Sequence, residues 1–500
     1  MSLDYSYKDI EWTQTLFNKS DECFTEGNII IPDSMDDIAK IISIKAHPTV
    51  SDAKCENGRI NINGQIKISL IYIGENETGK IYTLNVPCPF SHTIVSNDIT
   101  DEFLTLVTPV CCNVSHTIIN TRRLKTTCAL RFYASSYKNN RIKALSSAEG
   151  AQTICSEQNL YAARAICTKN IIITDNVEIG AGKNAITSIL KHTVKITDKD
   201  FKVLNNKIIV KGNLNVSVLY CSEDSVNDAI VTLPFTEVIE AEGVSPSLTA
   251  NVTLSVSDCE IRPDTDLSGE YKMLDINAVL SVNVRAFCQE NIQTVTDIYL
   301  PGGALKSSFM PLKIQKDAAS IAEEEFFKES ITLPKGAPVI SRVIDADCRI
   351  GEITLSDSAA SATAEITFMY LSPSSSSLNT HTAKIPLAHK FNSDSVTNII
   401  GEVNHIGYAI TSDDTLEIRL SVIFTALCNN YEEINIITDC IEEEYIPPKR
   451  PSVIVSFVNR GDTLWSIAKK HNISLSSLAT ANAMDENAVL TVGEKLIIPR

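Results

Sequence analysis

The chain has 500 residues, 44 basic against 61 acidic, and a formal charge of −17. That balance opposes broad contact with nucleic-acid phosphates, which demands a cationic face; it favours solubility without naming a partner. The length allows about three to five domains, each able to bury its own core without staples.

The 14 cysteines stand singly except for the neighbours Cys111 and Cys112, and none has zinc spacing. They read as reduced, mostly buried thiols of an intracellular protein, with no metal expected. Residues 1–22 form an N-terminal extension with no apolar signal-peptide core. No run approaches the roughly 18 consecutive apolar residues of a transmembrane segment.

The first β-rich module is expected over 23–140. Ile29-Ile30-Ile31 ends a strand and Pro32-Asp33 turns. The three-and-four spacing of Ile38, Ile41 and Ile42 then predicts about two turns of helix. Strands follow over 46–53, 59–72, 80–86, 104–114 and 123–133, punctuated by turn glycines. The second of these alternates strictly through Gly64, Ile66, Ile68 and Leu70 and closes on Tyr72.

That strand returns twice. Gly212, Leu214, Val216, Val218 and Tyr220 repeat it, and Ala362, Ala364, Ile366, Phe368 and Tyr370 give a third copy. The tyrosines are 220 − 72 = 148 and 370 − 220 = 150 residues apart, a period of domain size. Ile186, Ile189 and Leu190 repeat the cadence of Ile38, Ile41 and Ile42, as do Ile340, Val343 and Ile344, while Phe90 recurs as Phe235 and Phe391. Modules two and three are therefore expected over 169–305 and 329–446. Between them, 141–168 and 306–328 read as connectors, the first rich in Ala, Ser and Glu and open to a helical reading.

As a set, these repeated motifs resemble the SPOCS module, also called DUF3794, of spore-forming bacteria. The fold class they imply is mainly β: three tandem antiparallel modules, each a sandwich or an open barrel. Self-association through open sheet edges is compatible with that class.

Residues 447–452, Pro-rich, read as an extended linker that tethers the C-terminal tail to the modules. The tail, 453–500, predicts a small α+β unit of order β-α-α-β, with Thr463 capping a helix that carries Leu464, Ile467 and Ala468. Its sequence from Val458 through Gly461-Asp462-Thr463-Leu464-Trp465 to Lys469, and again from Val492 to Pro499, resembles the LysM domain. Ser456 stands where that family usually has tyrosine. The resemblance implies a groove for N-acetylglucosamine sugars, with Gly461, Asp462, Thr463 and Leu464 on one wall and Ala483, Met484 and Val489 on the other. The residues themselves say less: Gly461 serves backbone geometry, Asp462 and Thr463 suit capping, Leu464 suits the core, and Trp465 is either a lid over the core or an exposed anchor.

No catalytic constellation emerges. The eight histidines lack ligand spacing, and Gly180-Ala181-Gly182-Lys183 lacks the rest of a phosphate loop. Neither an enzyme nor a cofactor is expected. Three SPOCS-like modules before a LysM domain resemble a family of spore-coat morphogenesis proteins whose LysM domain engages a SpoIVA-like coat ATPase. The implied role is a non-enzymatic adaptor in the mother-cell cytoplasm, at the surface of the developing forespore. A peptidoglycan-binding protein of cortex or wall is the alternative.

Overall fold

The computed structural model describes residues 3–499 apart from 57, 76–79, 98, 100–103, 224, 318–319, 374, 394–395, 429 and 447–453. The linker expected at 447–452 lies outside the described residues.

Module 1 comprises β1 (Asp4–Ile30), β2 (Ile38–Glu56), β3 (Arg59–Gly74), β4 (Ile81–Val95), β5 (Leu104–Asn120) and β6 (Arg123–Glu149). Its strands form two antiparallel sheets, β1-β6-β5 and β2-β3-β4. Module 2 repeats this with β7 (Gln152–Glu178), β8 (Ser188–Leu204), β9 (Lys207–Cys221), β10 (Val226–Glu240), β11 (Thr249–Asp264) and β12 (Met273–Tyr299), ordered β7-β12-β11 and β10-β9-β8. Module 3 contains β13 (Ala304–Asp317), β14 (Ser320–Thr332), β15 (Arg342–Ile350), the short β16 (Thr354–Ser356), β17 (Ala359–Ser372), β18 (Ser375–Lys390), β19 (Val396–Ser412), β20 (Thr415–Cys428) and β21 (Asn430–Glu443). Its sheets run β14-β20-β19 and β15-β17-β18, with β13 paired to β21. In each module the two sheets bury one shared core between them, so the module is a sandwich rather than a barrel.

The repeated tyrosines Tyr72, Tyr220 and Tyr370 are fully buried in these cores. Opposite each, the neighbouring strand carries a β-bulge. The register steps from Ile41↔Tyr72 to Ser43↔Ile71, from Ile189↔Tyr220 to Lys191↔Leu219, and from Val343↔Tyr370 to Asp345↔Met369. The extra residues are Ile42, Leu190 and Ile344. A bulge sets two residues against one, so each extra residue joins the outward face beside its successor. The three meet there in a single buried cluster with Ile71, Leu219 and Met369. The modules therefore join through equivalent residues, with approximate threefold character.

This corrects the helix expected around Ile38, Ile41 and Ile42. The segment is a turn followed by β2, and bulges at Ile38/Lys40 and Ile41/Ser43 break the alternation that a regular strand would show. Phe391 is a second correction. Phe90 lies opposite Gly64 and Phe235 opposite Gly212, but Ala362 faces Leu387. A Cβ at Gly64 would stand 2.5 Å from Phe90 Cζ, so the glycine there makes room for the ring, whereas Ala362 has an aliphatic partner in its place.

The expected extension and connectors are also strands. Residues 4–14 pair with 138–149, 152–163 with 287–299, and 304–317 with 430–443. Composition favoured a helix over 141–168, but ladder pairing and burial override propensity there. The three ribbons pack into a hub around Ile10, Trp12, Leu160, Ile292, Leu312 and Ile436. Each ribbon carries a bulge at Ser146, Thr296 or Thr438, and the hydroxyl there donates across the ladder to Ser6, Ile154 or Ser308 O at 2.9, 3.2 and 3.3 Å.

Charge distinguishes the three junction faces. Module 3 presents Asp345 and Asp347 one and three residues past its bulge; they pair with Lys191 of module 2 and Lys45 of module 1. Lys67 of module 1 also meets Asp258 of module 2 at 2.9 Å. Beside these pairs lies a cavity of about 740 Å³ lined by Lys45, Lys67, Lys191 and Asp258.

Candidate functional site

The tail folds as β22 (Ile454–Phe457), α1 (Leu464–His471), α2 (Leu475–Ala481) and β23 (Lys495–Ile498), with β22 and β23 antiparallel. Gly461 has φ 89°, a left-handed turn that a Cβ would strain. Asp462 Oδ2 accepts from the Asn459 amide at 2.8 Å and so closes that turn. Thr463 caps α1: its hydroxyl accepts from Ser466 N at 3.1 Å, and Ser466 Oγ accepts from Thr463 N at 2.9 Å. This reciprocal pair satisfies two amides that a helix start leaves free. Leu464, Ile467 and Ala468 are buried from α1, Leu478 and Ala479 from α2, and Leu496 and Ile498 from β23.

Asn482 locks the end of α2 to the closing strand. Its Nδ2 donates to Ile497 O at 2.8 Å, and its Oδ1 accepts from Ile497 N at 2.7 Å. The chain then enters the second expected wall, where Ala483 adopts φ 54° and Met484 packs against the core. Val489 is 95% exposed. Among the eight expected contact residues, Gly461, Thr463, Ala483 and Val489 are open to solvent, Asp462 and Met484 are partly covered, and Leu464 is core.

Trp465 is half-buried against the LysM core, as a lid would be, and is also held from outside the domain. Its Nε1 donates to Asp297 Oδ2 of β12 at 2.7 Å, and its ring meets Tyr299 edge-on at 4.9 Å between centroids. Lys469 pairs with the other oxygen of Asp297. The Tyr299 hydroxyl donates to Ile473 O at 3.0 Å, and Asn472 Nδ2 donates to Gly303 O at 2.7 Å. Burial foremost, then the Asp297 charge, pushes the Tyr299 phenol up to about 12. The small domain therefore sits against the hub, at the elbow between β12 and β13, and is not merely tethered. Sequence reasoning missed Asp297 and Tyr299 because nothing within their own strand marks them; their partners lie 168 and 174 residues further on.

A family model described as the SPOCS domain of SipL matches residues 37–119 and 185–264, and one described as the LysM domain matches 458–499. No curated protein and no solved structure matches the chain. The two SPOCS segments cover β2–β5 and β8–β11; module 3 shows the same strand order in β15–β19. Among the described residues, no helix is long and apolar enough to cross a membrane. Two segments of the chain thus match the SPOCS domain of SipL and its C-terminal segment matches the LysM domain, the arrangement of a sporulation-related, SipL-like protein.

Proposed function

We propose that the chain is a non-enzymatic adaptor of spore-coat assembly. The three modules form its scaffold, and the LysM loops recruit a coat morphogenetic partner, a SpoIVA-like ATPase, at the forespore surface. One observation carries this reading: the LysM domain is seated on the module hub while the loops at Gly461–Thr463 and Ala483–Val489 face solvent. A scaffold that holds a binding face outward suits the joining of two partners. The LysM match itself favours a second reading, in which the same loops bind N-acetylglucosamine glycan of cortex or wall.

A fluorescent fusion in sporulating cells tests the choice. Under the adaptor reading it rings the forespore from the mother-cell side, and Val489→Asp combined with Ala483→Glu disperses it. Accumulation in wall or cortex, unaffected by loss of the ATPase, would overturn that reading in favour of the glycan.

A further inference from the structure

The three ribbons carry the same bulge, yet only one holds the LysM domain. A bulge re-aims the side chains beside it, and the next residue is Ser147 in the first ribbon, Asp297 in the second and Asp439 in the third. Two positions further on stand Glu149, Tyr299 and Ile441. Only the second ribbon joins a carboxylate to an aromatic ring with a donor hydroxyl. Asp297 takes two cation or N–H donors from one face of α1, those of Trp465 and Lys469. Tyr299 is 6% exposed and belongs to the buried core of the LysM domain itself. At the elbow, Gly302 N adds a bond to Asn472 O at 3.2 Å.

We infer that Asp297 and Tyr299 are positioning residues: they latch the LysM domain to the second ribbon, so that whatever its loops bind is held at a fixed angle to the modules. The latch engages the α1 face and leaves the loops free. Trp465 thus serves the chain's own hub. The inference concerns orientation and holds whether the loops take a protein or a glycan.

The chain has two tryptophans, so fluorine NMR of the full-length protein labelled with 5-fluorotryptophan gives two resonances. Trp12 is buried in the hub and reports its integrity. In Asp297→Ala the Trp465 resonance shifts and narrows as the small domain gains independent tumbling, while that of Trp12 stays in place. Losing a charged acceptor that serves two donors shifts the docking equilibrium by about tenfold or more. Asp297→Asn, which keeps an acceptor for Trp465 but not the charge for Lys469, falls between. Asp439→Ala, the equivalent change on the third ribbon, leaves both resonances alone. An unchanged Trp465 resonance in Asp297→Ala and in Tyr299→Ala would overturn the latch. Partner capture is read separately: binding kept in Asp297→Ala leaves the loop assignment standing, whereas binding lost in Val489→Asp with the resonances unmoved places that effect in the loops and leaves the latch intact.

Discussion

Gly64 and Gly212 occupy one position in two modules, yet a methyl group at each meets different surroundings. At Gly64 an added Cβ would overlap the Thr49 carbonyl oxygen and stand 2.5 Å from Phe90 Cζ; at Gly212 the nearest atoms, on Phe235 and Thr197, are 3.1 Å away. The first clash involves backbone of the paired strand, which moves only if the ladder bends. The second asks a ring and a carbonyl to yield by a few tenths of an ångström. Overpacking a sheet core costs roughly 1–3 kcal/mol, and Gly64→Ala belongs at or above the top of that range. For Gly212→Ala, the lost freedom of the unfolded chain returns about 0.4–1 kcal/mol and leaves a net cost below ~1 kcal/mol. A difference of ~2 kcal/mol is about 30-fold in a local opening equilibrium. Hydrogen exchange on the intact protein resolves β3 from β9 and avoids assuming that a multidomain chain unfolds in two states. Amides of β3 should exchange about 30-fold faster relative to wild type in Gly64→Ala than those of β9 do in Gly212→Ala. Module 3 supplies a natural control, since Ala362 faces Leu387. The double variant Gly212→Ala/Phe235→Leu should accordingly be more stable than the sum of its single changes by at least ~0.5 kcal/mol. Equal effects at the two glycines, or strict additivity in the double variant, would refute the packing argument.

Truncating Leu190 to alanine opens a cavity where three modules meet, at a cost of about 2–5 kcal/mol; peptides from β2, β8 and β15 should lose protection together, and a loss confined to module 2 would contradict the shared junction. Thr463→Ala removes the cap of α1 at a cost of ~1 kcal/mol, seen as about fivefold faster exchange in that helix with the modules unaffected. Tyr299 gives the docking an alkaline limit. Its pKa is raised from 10.0 to about 12 in the folded chain, so its contribution is fully present below pH 10 and is lost as pH rises through 12. The Trp465 fluorine resonance should hold up to about pH 10 and then move, and in Tyr299→Phe that step should be smaller.

Much of this architecture was legible in the sequence, and the failures have definite causes. The strands closing on Tyr72, Tyr220 and Tyr370 were readable because alternation survives wherever one face is buried and the ladder is regular. The cadence of Ile38, Ile41 and Ile42 was equally visible and correctly matched to its repeats, but a bulge mimics helical spacing by setting successive apolar residues against two different cores. The ribbons were hidden because their burial comes from other ribbons, far away in the chain: Leu160 is covered beside Ile10, Leu312 and Ile436. In the LysM domain, the roles of Gly461, Thr463 and Leu464 followed from local geometry. Trp465 could not be placed, because the carboxylate that receives its N–H belongs to β12.

Binding of the full-length chain to purified coat ATPase and, in parallel, to insoluble peptidoglycan decides between the two readings. The adaptor account predicts saturable binding to the ATPase that is lost in Val489→Asp/Ala483→Glu while the Trp12 and Trp465 resonances stay in place. Binding to peptidoglycan alone, with none to the ATPase, would contradict it.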